Sequence, residues 1–257
     1  MHNCKPIDTS IAKNESLSLD MFLKTQDEKE KMARAHYANA VGSLMSAMMC
    51  TRLDICYVVG LVNKFQSNLE LAHWKAVKRI LRYLRGIADY ILCYQGSDLC
   101  MIGYSDANWG SDLDECKPIS GYAFLQNNDS ITWSSKKQPC IALSTIEAEY
   151  VACSTAVQEA VWLKRFFQNL EVVKDASDPV TVHCDSMAAL AYAKDSKYHG
   201  KTKYIDIRYH YIRDMVAHNE VALKHISTSL MIANPLTKPI GRDVFQAHVR
   251  SLGLRRI

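Results

Sequence analysis

No stretch of this chain stays apolar long enough to cross a bilayer, and the opening MHNCKPIDTS lacks the basic stretch and apolar run of a signal peptide. The two absences predict an intracellular protein, cytoplasmic or nuclear, with no secretion signal and no membrane partner. The nine cysteines are scattered, with no C-x-x-C pair and no Cys/His cluster at zinc spacing, which argues against a disulfide framework or a structural metal. Charge of one sign is scarce as well. With 31 Lys and Arg against 27 Asp and Glu, a net charge of +4 says little about a polyanionic partner, so any such argument rests on where the cations sit.

At 257 residues and 48% hydrophobic, the chain can bury one large core or two modest ones. Residues 1–31 are polar, mix both charges and show no sustained period, which predicts a flexible N-terminal arm. Helical spacing then begins. Val41, Leu44, Met45 and Met48 recur at three and four, and Ile55, Val58, Val59 and Val62 continue the pattern after TRLD, which reads as the junction of two helices. A third helix over residues 72–86 places Trp74, Val77, Leu81 and Leu84 on one face, and Lys75, Lys78, Arg79, Arg82 and Arg85 on the other. Solvation explains most charge runs, but five cations with no intervening acid favour phosphate contact, with Lys78 and Arg82 as the central candidates.

After a short β segment and turn, the period changes to two. CMIGYSD, SGYAFLQN and SITWSS alternate as strands, with NND as the turn of a hairpin. A long helix over 144–170 follows, then a strand over 179–184, a short helix from Ser186, a helix over 205–217, the strand VALKHIS and a terminal helical segment.

Asp106 and Asp185 emerge at strand ends, where ligand and catalytic groups gather in α/β folds. Either alone would be read as a turn former or helix cap. The intervening helix adds two acids. With Ser144 as N-cap, Glu147 completes an S-x-x-E capping box, while Glu149 adjoins the small stripe Ala148, Ala152 and Ala156 that lets the helix approach the sheet. Glu149 is therefore assigned to the site and Glu147 to the cap. Three carboxylates on two strands and a helix suit Mg²⁺ or Mn²⁺, and point to phosphodiester hydrolysis by two metals roughly 4 Å apart.

YSDANWGSDLDECKPISGYAFL, ITWSSKKQPCIALSTIEAEYVA, VHCDSMAALAYAKD, KYIDIRYHYIRD and ANPLTKPI occur in that order. Together they resemble the ribonuclease H region of copia-type retrotransposon Pol polyproteins, particularly plant ones. YANAVGSLMSAMMCTRLDICYVVG and HWKAVKRILRYLRG resemble the segment joining the reverse transcriptase palm to ribonuclease H in the same polyproteins. The resemblance implies an α/β, ribonuclease H-like mixed five-stranded sheet flanked by helices over residues 98–257. A small, mainly helical connection, a thumb-like remnant of reverse transcriptase, would occupy residues 32–97. It implies cleavage of the RNA strand of an RNA/DNA hybrid, with a reverse transcriptase polymerase core as a further partner. No Y-x-D-D motif occurs, so the chain itself should not polymerise.

The same resemblance puts the family's first three catalytic acids on Asp106, Glu149 and Asp185. Its fourth acid, in A-D-x-x-T-K, falls on Asn234. Loss of that charge should weaken chiefly the less tightly held metal. TRLD in place of TRPD, and Tyr204 where a His commonly precedes I-D-I-R, are further departures. Hybrid contacts are expected from phosphates and the 2′-OH, with candidates in a 134–138 turn holding Lys136 and Lys137, in a 198–203 loop holding Lys201 and Lys203, and at Arg208. Two functions follow: a metal-dependent endoribonuclease, or a decayed or co-opted nucleic-acid-binding module with weak or no turnover.

Overall fold

The computed structural model describes residues 4–13, 15, 17, 18, 32, 35–67, 69–94, 96, 100–110, 112, 114–170, 178–194 and 203–256. The chain enters through three helices: α1 (Tyr37–Cys50), α2 (Cys56–Asn63) and α3 (Leu71–Gly86). TRLD is the predicted junction, a 3-10 turn over Leu53–Ile55. Its Asp54 is buried and accepts from Arg52 Nε at 3.0 Å and Nη2 at 2.6 Å, and from the Tyr83 hydroxyl of α3. Leu53, at the departure from TRPD, is fully buried and takes a core position.

The buried stripe of α3 is His73, Ala76, Val77, Ile80 and Tyr83, rotated from the expected Trp74, Val77, Leu81 and Leu84. Two polar-capable residues hold core positions there: Tyr83 because Asp54 takes its hydroxyl, and His73 because it stacks on Phe65 at 3.8 Å. Tyr83→Phe should cost about 1 kcal/mol, since Asp54 keeps Arg52. Equilibrium urea unfolding reads it.

Part of the arm departs from the expected looseness. Ile11 and Leu17 are buried in the same core as α1–α3. Arg82 Nε donates to the Lys5 carbonyl and Arg85 Nη1 to the Cys4 carbonyl, both at 2.8 Å, and Arg79 Nη2 to Thr9 Oγ1 at 2.9 Å. The arm's apolar residues supply burial, and the arginines of α3 satisfy its backbone carbonyls.

The sheet contains β2 (Met101–Asn108), β3 (Ile119–Gln126), β4 (Asp129–Lys137), β5 (Val180–Cys184) and β6 (Val221–His225) in the order β4-β3-β2-β5-β6. The meander β2-β3-β4 is antiparallel, while β5 and β6 join parallel to β2. This is the mixed five-stranded sheet expected from the resemblance. Helices α4 (Thr145–Asn169), α5 (Met187–Lys194) and α6 (Lys203–Ala217) follow the predicted order. A smaller pair, β1 (Tyr90–Leu92) with β7 (Leu254–Arg256), closes beside the terminal α7 (Arg242–Ser251). Three-residue strands carry too little alternation for β7 to be legible in the sequence.

One core joins α1–α3 and α7 to Ile119, Ala123 and Leu125 of the sheet. A second joins α4, α5 and Ile212 of α6 to Phe124, Val182 and Leu223. The sheet is thus covered on both faces, and its strand ends near Asp106 lie between the two layers of helices.

Candidate active site

Ser105 lies opposite Cys184 in the parallel β2–β5 register, so the next residues along the two strands are Asp106 and Asp185. The third acid arrives on α4. Its Ser144 Oγ accepts from Glu147 N at 3.2 Å, as a capping box requires, but Glu147 Oε2 accepts from Leu143 N at 2.7 Å, one residue earlier than expected. Glu147 is thereby committed to the helix terminus. Ala148 and Ala152 of α4 pack with Ala107 and Ala142, and these small side chains let Glu149 Oε1 accept from the backbone N–H of Ala107 at 3.2 Å.

Asp106 is fully buried. The Thr237 hydroxyl donates to its Oδ2, and Lys238 Nζ lies 3.2 Å from its Oδ1. Both partners follow the 3-10 turn Asn234–Leu236, which sits over β3 where Gly121 pairs with Asp106. A Cβ at Gly121 would stand 2.8 Å from both Leu236 Cβ and Thr237 Cγ2, so glycine is what lets this turn reach the carboxylate. Gly121→Ala should push the turn away and cost about 1–3 kcal/mol, read as a lower urea midpoint, with the metal affinity falling in parallel.

The carboxylates crowd one another. Burial, then the charges of Asp106 and Asp185, push the Glu149 carboxyl up to about 9, and burial raises Asp106 despite Lys238 and Thr237. Glu149 is half-exposed as a residue, yet its Oε2 is inaccessible and has no hydrogen-bond partner. Ligand atoms of Glu149, Cys184 and Asp185 lie within 4.8 Å of one another. Cys184 is fully buried, and burial raises its thiol, so it remains protonated and offers a hard cation little. An orphaned carboxylate oxygen whose ionisation is disfavoured by burial and by like charge is the environment a divalent cation relieves. The residues therefore fit such an ion.

Asn234 is buried. Its Nδ2 donates to the Thr228 carbonyl at 2.9 Å, and its Oδ1 has no partner. Its backbone carbonyl accepts from Thr237 Oγ1 at 3.2 Å, linking it to Asp106 through Thr237. Sequence reasoning gave Thr237 and Lys238 no role, although both stand in the quoted ANPLTK. Nothing in a lone Thr-Lys pair reports which carboxylate it reaches.

The basic candidates scatter. Lys136 and Lys137 lie on β4 rather than in a turn, because their alternation continues that of SITWSS. Lys136 is exposed, but Lys137 pairs with Glu115 and lies 3.4 Å from Asp112. Lys78 and Arg82 are on α3, with Lys78 Nζ 6.0 Å from the Trp74 ring centroid and Arg82 held by the arm. Lys201 lies outside the described residues, and so do the side chains of Lys203 and Arg208 on α6.

Over 99% of its length the chain is 44% identical to the retrovirus-related Pol polyprotein from transposon TNT 1-94 of Nicotiana tabacum, of which it spans 19%. It is 33% identical over its full length to the Pol polyprotein from transposon RE2 of Arabidopsis thaliana, spanning 17% of it. The chain thus covers about a fifth of each of these two Pol polyproteins. No family model matches. LC11-RNase H1, solved in complex with RNA/DNA hybrid, overlaps 51% of this chain and 88% of its own at 17% identity and a TM-score of 0.37, and the fold assignment rests instead on the strand order above. That mixed sheet is the ribonuclease H-like fold expected from the sequence resemblance. Over its full length the chain is similar to retrovirus-related Pol polyproteins of plant transposons. Among its described residues no helix is long and apolar enough to cross a membrane.

Proposed function

We propose that this chain is a metal-dependent endoribonuclease that cleaves the RNA strand of RNA/DNA hybrids, and that Asp106, Glu149 and Asp185 hold its Mg²⁺ or Mn²⁺. The observation that carries the proposal is the approach of Glu149 on α4 to Asp185 at the end of β5, with ligand atoms within 4.8 Å, beside Asp106 at the matching end of β2, where the Ala107 N–H holds Glu149 Oε1. A bound divalent cation would lower the pKa of the attacking water and stabilise the leaving 3′ oxygen. The chain's own part is to fix the acids and to exclude competing nucleophiles. Thr237 and Lys238 orient Asp106, the Ala107 N–H orients Glu149, and burial keeps Cys184 a thiol.

Within this reading the chain divides into an arm (1–31), a helical connection remnant of reverse transcriptase (32–97) and the ribonuclease H domain (98–257), although the arm and the connection share a core with the sheet. A reverse transcriptase polymerase core elsewhere in the polyprotein would be its covalent or docked partner. Exposed Lys136, and Lys78 on α3, are the candidates for phosphate contact. Arg82 would have to exchange the Lys5 carbonyl for a phosphate, and Lys201, Lys203 and Arg208 remain candidates from sequence. Lys137 would likewise have to exchange Glu115 and Asp112 for a phosphate.

A binding module without turnover is the second reading, favoured by Asn234, whose amide is occupied by Thr228 and supplies no charge. Cleavage of a fluorescent hybrid in Mg²⁺ or Mn²⁺ by the wild type and by Asn234→Asp separates the two. Cutting by the wild type upholds the nuclease. Cutting by Asn234→Asp alone makes this chain a binding module.

A further inference from the structure

We infer that Lys238 takes the place of the second divalent cation, so that this site binds one Mg²⁺ or Mn²⁺ instead of two. The inference rests on the assignment of Asp106, Glu149 and Asp185 as the ligands of the first. Lys238 Nζ sits 3.2 Å from Asp106 Oδ1, with the Lys238 side chain 29% exposed and that of Asp106 fully buried. The ammonium is not a passing surface partner. Its backbone is fixed by the Asn234–Leu236 turn, with Lys238 N donating to the Asn234 carbonyl at 3.2 Å. The turn is tied to β2 twice more, by the Thr237 hydroxyl on Asp106 and by Asn108 Nδ2 to the Thr237 carbonyl at 3.4 Å. Gly121 leaves room for it.

Charge decides how many cations fit. Three ionised carboxylates are neutralised by one dication and one ammonium, whereas two dications beside Lys238 would leave the buried site doubly positive. An acid at position 234 would offset part of that excess, and Asn234 does not. Its Nδ2 donates to the Thr228 carbonyl, so the turn that presents Lys238 carries a neutral amide at the position where the resemblance puts the fourth acid. A lysine is a suitable substitute because its compact ammonium is a point charge with three donors, able to bind Asp106 and an incoming phosphate oxygen together.

The test counts Mn²⁺ bound per chain by the electron paramagnetic resonance signal of the free ion. It is run on the protein alone and with a 2′-O-methyl-RNA/DNA duplex, after subtraction of the ions bound by duplex alone. One ion is expected for the wild type in both states and for Lys238→Arg, and two for the double variant Lys238→Met with Asn234→Asp. Without metal, Lys238→Met should unfold at a lower temperature than the wild type, and Mn²⁺ should restore it, which keeps the inference testable if the double variant does not fold. Two ions in the wild type overturn the substitution while leaving the nuclease assignment intact. One ion in a folded double variant also overturns it. No bound ion at all overturns the metal assignment, and this inference with it.

Discussion

Asp106→Asn is expected to lower hybrid cleavage by roughly 10³-fold or more while leaving the protein folded, a loss of at least about 4 kcal/mol of transition-state stabilisation. The two readouts separate for a physical reason. Asp106 is buried at 0% exposure, and burial disfavours its charge, so a neutral amide of the same shape removes a desolvation cost as well as a ligand. The substituted side chain can still accept from the Thr237 hydroxyl through its amide oxygen. Thermal unfolding beside cleavage kinetics checks this, and a loss of activity that merely follows a loss of folded protein would contradict it.

The second large effect concerns pH. Glu149 has a carboxyl raised to about 9 in the metal-free protein, against an ordinary value near 4.3 in the unfolded chain. Between these values the folded state binds one more proton than the unfolded state, so metal-free stability should fall as pH rises from about 5 to about 9. The full effect is present below the unfolded value and is lost on passing the folded one. Glu149→Gln cannot ionise, so its stability should lack this slope and exceed the wild type's at pH 8 by on the order of 3 kcal/mol. Urea unfolding in chelator at several pH values measures it. A cation must displace the same proton, so calorimetric titration of Mn²⁺ near neutral pH in buffers of different ionisation enthalpy should report proton release from the wild type and little from Glu149→Gln.

The ribonuclease H sheet was legible because its signals are local. Alternation in CMIGYSD and SGYAFLQN, the hairpin turn at NND and the Ser144 cap each act within a few residues, and the structure keeps all of them. The placement of Asp106, Glu149 and Asp185 was legible for a related reason, since strand ends and a small-residue helix face are written in the nearby sequence. What sequence did not reveal depends on partners far along the chain. Tyr83 and His73 enter the core because Asp54 and Phe65 await them, which rotates the buried face of α3 away from Trp74 and Leu81. Lys137 has acidic partners, Glu115 and Asp112, that its own sequence neighbourhood does not announce. The arm is packed because arginines more than 70 residues away bond its carbonyls. Lys238 is a further instance of the same effect, 132 residues from the carboxylate it meets.

These distant pairings bear on the proposed nuclease, in which Asn234 would stand where the resemblance puts a fourth acid and would weaken the binding of metal. Lys238 on Asp106 supplies a positive charge where that weakening would be felt. This makes a working site with one divalent cation chemically reasonable, without a fourth carboxylate.

The most direct measurement uses an RNA/DNA hybrid labelled on both strands, incubated with the wild type in Mg²⁺ or Mn²⁺ and resolved by length. The account predicts that the RNA strand shortens into pieces ending in a 3′ hydroxyl, that the DNA strand stays whole, and that chelator or Asp106→Asn stops the reaction. An intact RNA strand, under conditions where the protein is shown to bind both hybrid and metal, would contradict it.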